Sequence, residues 1–306
     1  TPTEVLRYKL QPGQLVPQSP PQLVVGGFPE QHVHAAKSFA FDTAGHLYVN
    51  VGAPSNSCQQ DDRSPGSPGI RPCPLLEQHG GIWQFDANRT GQDFRRDGKR
   101  YATGIRNAVA ITWHDGLYVV QMGRDQLHEN WPKLYDAEQG SELPAEEFLH
   151  VAENANFGWP YCYYDQLQKK RVLEPEYGGD GKARGDCAKY PAPIAAFPGH
   201  WAPESVLFYT AEQFSTAWRD GAFIAFHGSW NRTPLQAGYK VMFVPFHGDT
   251  PAGDARVFAD GFAGTDRISS PRTARYRPMG LAQAPDGALY ISDSQQGRVW
   301  RIVTRH

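Results

Sequence analysis

Apolar and polar residues alternate along the chain in short runs that end at glycine-containing turns. In the repeated unit, an alternating run meets a turn such as Ala44-Gly45 or Asp115-Gly116, and a second run of the type Leu-Tyr-Val follows. Four copies occur, at residues 38–52, 108–123, 217–228 and 280–294. Period-two alternation predicts half-buried strands, and a glycine turn between two such runs predicts a hairpin.

A further apolar run follows each copy, and we expect it to form an outer strand. These runs lie at residues 80–86, 146–151, 239–246 and 297–303. Recurrence of such a unit at intervals of tens of residues is typical of a β-propeller, whereas a β-sandwich, the main alternative, predicts no recurrence. We therefore predict an all-β chain in which residues 1–306 form a single β-propeller domain.

The N-terminal blade of this propeller is predicted to be incomplete or shared. Residues 3–10 have the pattern of an outer strand, but no inner strands precede them. Either the chain is a truncated form of a larger propeller, or residues near 3–25 share a blade with the strands at 280–303 and so close the ring.

Composition and charge exclude several classes of protein. The 31 Gly and 25 Pro residues argue against long helices. The 30 basic and 32 acidic side chains form no run of like charge and give a net charge of −2, so a nucleic-acid-binding surface is not indicated. No stretch approaches the roughly 20 apolar residues that cross a bilayer, so we expect a soluble chain without membrane insertion.

The four cysteines predict disulfides. Cys58, Cys73, Cys162 and Cys187 lie in segments rich in Gly, Pro, Asn and Asp, and no pair has the C-x-x-C spacing of a zinc or thioredoxin-like site. We expect Cys58 to pair with Cys73 and Cys162 with Cys187, although four cysteines allow three connectivities and four free thiols are the alternative. Disulfides would indicate an oxidising compartment.

Candidate chemistry lies where the chain enters three of the predicted inner strands. His34 precedes the first, Arg106 the second, and Arg275 with Arg277 the last. In a propeller such segments lie near one mouth of the central channel, and convergent arginines there would favour an anionic ligand. The alternative is that each arginine pairs with a local surface acid. The long loops at 53–79, 124–145 and 160–200 are expected to contribute to the same site.

Six short motifs follow His34 in order along nearly the whole chain: LYVNVGA (47–53), YATGIRNA (101–108), LYVVQMGRDQL (117–127), NANFGWPYC (154–162), FHGSWNR (226–232) and RYRPMGLAQAPDGALYISD (275–293). Their order resembles that of the soluble glucose/sorbosone (aldose sugar) dehydrogenases, which use pyrroloquinoline quinone (PQQ). The resemblance implies a six-bladed propeller that binds PQQ and calcium at one end of its channel. It also implies that an aldose or sugar aldehyde is oxidised by hydride transfer to the quinone, that an external acceptor takes the electrons, and that the protein is periplasmic or secreted.

By this resemblance, His34 is the catalytic base that takes the proton from the sugar hydroxyl. An imidazole with an unperturbed pKa of about 6.5 can accept a proton at neutral pH. If residues 32–34 are extended, His32 points to the opposite face, so only one of the two imidazoles faces the channel. Arg106 and Asn107 match the pair that contacts the quinone and its reactive carbonyls.

The resemblance assigns further contacts to the cofactor and to calcium. Arg275 and Arg277 match the pair that holds the carboxylates of the quinone, which suits the planar guanidinium group. Trp201 lies where the family places an aromatic residue near the cofactor, and a core tryptophan is the alternative. Gly123 and Arg124 match a turn whose backbone carbonyls ligate calcium, a cation that prefers oxygen, and an ordinary turn is the alternative.

The sequence departs from the family pattern at two positions of the site. Ala53 stands where the family has the acid that orients the base, and Asp61 or Asp62 is the candidate replacement. The expected lysine falls on Asn231, and Arg232 beside it is the candidate for the same cofactor contact.

These departures, with the incomplete N-terminal blade, leave two other functions open. One is a non-catalytic propeller that has lost cofactor binding. The other is a calcium-dependent lactonase on a similar propeller, which needs a cluster of Glu, Asn and Asp at the channel mouth. Asn107 and Asp125 are candidates for that cluster, but Arg275 and Arg277 would be poorly placed for it.

Overall fold

The computed structural model describes residues 1–304, so residues 305–306 of the predicted domain lie outside the described residues. Strands dominate this part of the chain: β1 (Val5–Arg7), β2 (Gln22–Gly26), β3 (Phe39–Phe41), β4 (His46–Val51), β5 (Gly81–Asp86), β6 (Gln92–Asp93), β7 (Lys99–Thr103), β8 (Ala110–Trp113), β9 (Leu117–Gln121), β10 (Glu146–Val151), β11 (Ala155–Asn156), β12 (Cys162–Asp165), β13 (Lys170–Leu173), β14 (Ala195–Phe197), β15 (Pro203–Tyr209), β16 (Gly221–Phe226), β17 (Lys240–His247), β18 (Thr250–Pro251), β19 (Arg256–Ala259), β20 (Pro278–Gln283), β21 (Leu289–Asp293) and β22 (Val299–Ile302). The α-helices are short: α1 (Phe94–Asp97), α2 (Leu127–Asn130) and α3 (Ala137–Glu142). The 3₁₀ segments are Pro74–Glu77, Pro175–Tyr177, Gly185–Lys189, Thr216–Trp218 and Pro271–Thr273.

The strands form successive sheets that pack side by side, as in a β-propeller. Antiparallel pairing gives the orders β3-β4-β5-β7, β8-β9-β10-β14, β15-β16-β17-β19 and β20-β21-β22, with β11 added in parallel to β7 and β18 paired with the end of β17. The innermost strands contact one another in the order β3, β8, β15 and β20. The predicted mostly-β architecture is confirmed, and the number of six blades stays a prediction.

The repeated units correspond to inner hairpins, with two corrections. The copies at 38–52, 108–123 and 280–294 contain β3–β4, β8–β9 and β20–β21, but the copy at 217–228 contains only β16, whose inner partner β15 lies earlier in the chain. The apolar runs predicted as outer strands are third strands, and in three sheets another strand covers them. Because that outer strand shields them from water, these third strands are largely buried and appear apolar in the sequence.

The N-terminal strands form a small sheet of their own. Strand β1 pairs with β2, and β2 pairs in parallel with β6. Val25 and Phe28 pack with Val49 and Trp83 of the next sheet in one buried cluster. The predicted sharing of a blade with the strands at 280–303 is therefore wrong, because those strands form the separate sheet β20-β21-β22, and the N-terminal sheet has three strands.

Both predicted disulfides are present, Cys58–Cys73 and Cys162–Cys187. Cys58 and Cys73 are buried in one cluster with Ala53 and Trp159. The first disulfide thus constrains the loop that follows β4, close to the end of that strand. Among residues 1–304, no helix has the length and apolar character needed to span a membrane.

Candidate functional site

The segments that enter β3, β8 and β15 meet at one end of these sheets and enclose a small cleft of about 80 Å³. Its walls are formed by His34, Arg106, Met122, Gly123, Asp125, Glu146, His200, Ala202, Trp230 and Asn231. Of the three segments predicted to converge, those of His34 and Arg106 both line this cleft, whereas Arg275 and Arg277 are not among its lining residues.

His34 lies in a turn before β3 and has a left-handed backbone conformation, with a φ of 53°. The extended conformation predicted for residues 32–34 is therefore wrong. A non-glycine residue is held in this region only where surrounding contacts fix it. His32 is exposed, so the two histidines are still separated as expected, but by a turn rather than by strand alternation.

The ring of His34 is oriented by a backbone carbonyl. Its Nδ1 lies 2.7 Å from the carbonyl oxygen of Ala53, so Nδ1–H donates and Nε2 is left with a free lone pair. Ala53, which lacks the acidic side chain of the family, thus supplies the orienting group through its main chain. The candidate replacement Asp62 is occupied elsewhere, because it accepts hydrogen bonds from the Ser55 hydroxyl and the Asn56 N–H.

Burial, together with the positive charge of Arg106, lowers the pKa of His34 to about 4. The imidazole is therefore neutral at pH 7, which a proton acceptor requires. An anion placed beside Arg106 would offset that positive charge and raise the pKa of His34.

Arg106 is buried, and four of the five N–H groups of its guanidinium donate hydrogen bonds within the protein. Its Nε and Nη2 donate to the carbonyl and the side-chain oxygen of Asn56, both at 3.0 Å. Its Nη1 donates to the Gly123 carbonyl at 2.7 Å, and Nη2 also donates to Asp125 at 2.9 Å. These contacts fix a positive charge at the base of the cleft.

Asp125 connects the cations of the cleft. One of its oxygens accepts from both Arg106 and Arg63 at 2.9 Å, and the other accepts from Asn231 at 3.0 Å and lies 3.8 Å from His200. Burial alone would raise the pKa of Asp125, but Arg106, His200 and Arg63 together hold it well below the usual range. Asp125 is therefore ionised at any physiological pH.

Asn107 is buried beside the His34 turn. A Cβ on Gly52 would lie 2.7 Å from both Asn107 Oδ1 and His34 Cβ, so Gly52 is what allows the two residues to approach. The Asn107 oxygen also accepts from Asn50 at 3.2 Å. The predicted pair Arg106 and Asn107 thus lies next to the predicted base.

Glu146 adds an acid that sequence patterns did not indicate. Its carboxyl oxygens accept from the N–H groups of Gly123 at 3.1 Å and Ala202 at 3.3 Å. Burial raises the pKa of Glu146 to about 8, with those two hydrogen bonds acting in the opposite direction. The side chain is therefore mostly protonated and uncharged at pH 7.

The side chain of Arg124 points away from the cleft. Its Nη1 donates to Glu176 at 2.6 Å and to Glu174 at 3.2 Å, in a buried cluster of charges. Burial raises the pKa of Glu174 to about 8, although Arg124 opposes this. The predicted metal ligand Gly123 uses its carbonyl oxygen to accept from Arg106, as described above.

Trp201 packs beside the core rather than in the cleft. Its ring meets Phe226 edge-on at 5.4 Å, and Lys240 lies over it at 5.3 Å. The indole of the cleft is that of Trp230, which is 54% exposed. Arg232 donates to Glu142 and to the carbonyls of Ser141 and Gly199, so the structure does not place its guanidinium in the cleft.

The two predicted carboxylate-binding arginines differ in their surroundings. Arg277 donates to the carbonyls of His227 at 3.1 Å and Gly228 at 2.8 Å, close in sequence to Trp230. Arg275 is exposed, and its guanidinium lies 5.3 Å from the ring centroid of Tyr276. Arg277 is therefore the one tied to the segment that borders the cleft.

Sequence reasoning did not single out His200, Glu146, Arg63 or Trp230 as parts of the site. His200 directly precedes Trp201 and has the same kind of left-handed backbone as His34, with a φ of 66°. Its position before β15 matches that of His34 before β3, and this equivalence is the signal that was available.

The cleft residues fit an anionic quinone such as PQQ. In the cleft, Asp125 is paired with Arg106, and it is also paired with Arg63, which is not among the lining residues. Because His34 and Glu146 are neutral at pH 7, the two arginines leave a net positive charge. Asn231 Oδ1 is buried and has no hydrogen-bond partner within residues 1–304, so it can accept a hydrogen bond from a hydroxyl group but not pair with an anion. The carboxylates of PQQ would compensate the positive charge of the cleft.

Comparison with known proteins identifies the family. The family model described as TrAA12-like matches residues 1–305. The chain belongs to this family. The resemblance to soluble PQQ-dependent sugar dehydrogenases seen in the sequence is thereby confirmed.

Two curated proteins are similar to the TrAA12-like chain. It is 28% identical over 206 residues to an uncharacterized protein of Borreliella burgdorferi, covering 66% of this chain and 48% of that protein. It is 25% identical over 279 residues to the pyrroloquinoline quinone-dependent pyranose dehydrogenase of Coprinopsis cinerea, covering 78% of this chain and 36% of that enzyme. The chain thus spans about half the length of the first relative and about a third of the second.

Solved structures share the fold of the TrAA12-like chain. The holo form of the pyranose dehydrogenase PQQ domain from Coprinopsis cinerea has a TM-score of 0.76 at 19% identity, covering 99% of this chain and 78% of that one. The calcium structure of the Trichoderma reesei family AA12 enzyme has a TM-score of 0.75 at 20% identity, covering 98% and 75%. The PQQ-bound aldose sugar dehydrogenase from Streptomyces coelicolor has a TM-score of 0.57 at 16% identity, covering 97% and 71%.

Proposed function

We propose that this chain is an exported sugar dehydrogenase that oxidises an aldose or sugar aldehyde by hydride transfer to PQQ bound in the cleft, with an external acceptor taking the electrons. The observation that carries the proposal is that a neutral, carbonyl-anchored His34 shares one cleft with the buried cation of Arg106. The two disulfides support an oxidising compartment, periplasmic or extracellular.

His34 performs the proton transfer. The hydrogen bond from Nδ1–H to Ala53 fixes the tautomer, so Nε2 accepts the proton of the sugar hydroxyl. Loss of that proton makes the neighbouring C–H bond a better hydride donor. Trp230 offers an exposed aromatic face at the cleft on which the apolar face of a sugar ring can stack.

The remaining residues bind and orient. PQQ, when bound, supplies the quinone that accepts the hydride. Arg106 and Asn107 would hold its quinone oxygens, and Arg106 would stabilise negative charge there because Asn56 and Asp125 keep its guanidinium in place. Arg277, with Arg275 as a further predicted contact, would hold the carboxylates, and Asn231 stays a predicted contact to another part of the cofactor.

The predicted turn at Gly123 and Arg124 suits calcium less well than the cleft suits PQQ. The Gly123 oxygen accepts from Arg106 Nη1, so a divalent cation bound to that oxygen would face a guanidinium group. Within residues 1–304, no group of three or more His, Cys, Asp or Glu side chains is arranged to hold a metal. The backbone calcium site at Gly123 and Arg124 stays a prediction, and no step of the reaction is derived through it.

The two alternatives have weaker support. A lactonase site at Asn107 and Asp125 would need a free carboxylate, but two arginines already pair with Asp125. A non-catalytic propeller was suggested by the missing acid at Ala53, yet the Ala53 carbonyl orients His34 in its place.

The proposal is tested by adding PQQ to the purified chain, with and without calcium, and recording the absorption spectrum before and after a panel of aldoses. We expect the quinone spectrum to change on binding and to show reduction by at least one aldose. His34→Ala should bind PQQ normally and reduce it about 10²- to 10⁴-fold more slowly, the usual effect of losing a positioned base. The exposed His32→Ala is the matched control.

The expected result for His32→Ala is a nearly unchanged rate. Equal losses in the two variants would mean that His34 is not the base. Failure of the chain to alter the PQQ spectrum under any condition would remove the quinone from the proposal.

A further inference from the structure

We infer that Gln31 is a positioning residue that holds the His34 turn and the end of β4 in register, and thereby aims the imidazole into the cleft. This inference rests on the proposed function for its catalytic consequence, but its structural part can be tested without turnover. Gln31 is only 7% exposed although its side chain is polar, and it lies three residues before His34.

The Gln31 amide nitrogen is surrounded by backbone carbonyls. Nε2 donates to Val33 at 2.8 Å, to His34 at 2.9 Å and to Gly52 at 3.0 Å. Because an NH₂ group has two hydrogens, one of them is shared between two of these acceptors. One side chain thus joins the turn at 33–34 to the segment that follows β4.

The oxygen of the Gln31 amide shows that the position beside the three carbonyls requires a hydrogen-bond donor. Gln31 Oε1 is buried and has no hydrogen-bond partner within residues 1–304. Turning the amide over would set an oxygen against three carbonyl oxygens, so the orientation with nitrogen toward them is the one that the contacts determine.

Two side-chain hydrogen bonds thus connect the segment at 31–34 to the segment that follows β4. Gln31 holds the Gly52 carbonyl, and His34 holds the carbonyl of the next residue, Ala53. His34 occupies a left-handed conformation that local preferences oppose, so it needs such external contacts. Removing the Gln31 amide would leave the Gly52 carbonyl unpaired and free the turn to relax, and the imidazole would lose its fixed aim.

The test uses two substitutions at Gln31 and a matched control. Gln31→Met keeps the length of the side chain and removes its donors. Gln31→Lys supplies three N–H donors in place of two and has no acceptor, which suits a position with three carbonyls and no partner for an oxygen. The control is Gln92→Met, because Gln92 is also buried and its Nε2 also donates to three backbone carbonyls, but it lies in β6, outside the cleft.

The first readout is the imidazole region of a ¹H–¹⁵N spectrum of the protein without PQQ, with the Nδ1–H signal of His34 assigned by its loss in His34→Ala. We expect this signal to broaden or vanish in Gln31→Met and to persist in Gln31→Lys and Gln92→Met. The second readout is sugar oxidation with PQQ. There we expect kcat of Gln31→Met to fall at least about 10-fold while KM and the PQQ requirement change less than about twofold, as for a misaimed base.

An unchanged His34 signal in Gln31→Met, or an equal loss in Gln92→Met, would overturn the inference. If Gln31→Met does not fold, Gln31→Asn, which is too short to reach all three carbonyls, takes its place with the same two outcomes. Failure of the proposed function can be told apart from failure of this inference. Full turnover in His34→Ala would show that His34 is not the catalytic base, whereas the ¹H–¹⁵N spectrum would still show whether Gln31 orients the His34 ring.

Discussion

Gly52→Ala is expected to disturb the candidate site by steric overlap alone. The new Cβ would lie 2.7 Å from His34 Cβ and 2.7 Å from Asn107 Oδ1, about 0.7 Å closer than the 3.4 Å at which ordinary contact begins. If His34 gives way by that amount, its 2.7 Å hydrogen bond to Ala53 is stretched to the limit of a hydrogen bond. Asn107 is buried and cannot move without disturbing its contact with Asn50.

The overlap is expected to lower both the unfolding free energy and the rate of PQQ reduction. Overpacking of this kind costs about 1–3 kcal/mol of unfolding free energy. A displacement approaching 1 Å at a base that must meet a substrate proton lowers the rate by about 10²-fold. We therefore expect Gly52→Ala to bind PQQ but to reduce it about 10²-fold more slowly, with a modest loss of stability.

The assays are urea unfolding and stopped-flow reduction of bound PQQ by an active aldose. Gly26→Ala is the matched control, because its new Cβ would meet only the Leu23 side chain, at 3.4 Å. We expect that control to change the unfolding free energy by less than about 0.5 kcal/mol and to leave the rate unchanged. A wild-type rate in Gly52→Ala would refute the close packing of His34 and Asn107 around Gly52.

Three further predictions concern cofactor binding, pH and the disulfides. Arg277→Ala should raise the PQQ concentration needed for half activation more than Arg275→Ala, because only Arg277 is tied to the segment bordering the cleft; equal effects would contradict this. Since the pKa of Glu146 is raised to about 8, the folded state keeps a proton that the unfolded chain releases near its ordinary pKa, so stability falls as pH rises between these values. The unfolding free energy of the wild type relative to Glu146→Gln should thus drop by roughly 3 kcal/mol between pH 5 and 7.5, and a constant difference in urea unfolding would disprove the shift. Replacing Cys58 and Cys73 by Ala should cost about 3 kcal/mol in urea unfolding, because that disulfide closes a separation of 15 residues, and an unchanged midpoint would count against the entropic account.

The position of two candidate residues relative to the inner strands could be predicted from the sequence. His34 and Arg106 were predicted to converge because each precedes an innermost strand, and both line the cleft. The prediction succeeded because strand alternation and turn positions are local properties, and a repeated architecture brings equivalent positions of each repeat together.

Predictions from the local sequence pattern were wrong for features that depend on neighbouring strands. The third strands were taken for outer ones because an apolar run does not reveal whether another strand covers it. The separation of His32 from His34 was predicted on the condition that residues 32–34 are extended, yet His34 has a left-handed conformation and its carbonyl accepts a hydrogen bond from Gln31.

The sequence by itself predicted the mostly-β fold, the two disulfides, the family and some of the residues that line the cleft, among them His34 and Arg106. Only the tertiary structure decided how those residues are used. The Ala53 carbonyl, rather than an acidic side chain, orients His34, while the side chains of Arg124 and Arg232 pair with glutamates away from the cleft. The physical reason is that a backbone carbonyl has no signature in the sequence, and the partner of a buried charge is set by which segments the fold brings within hydrogen-bond distance.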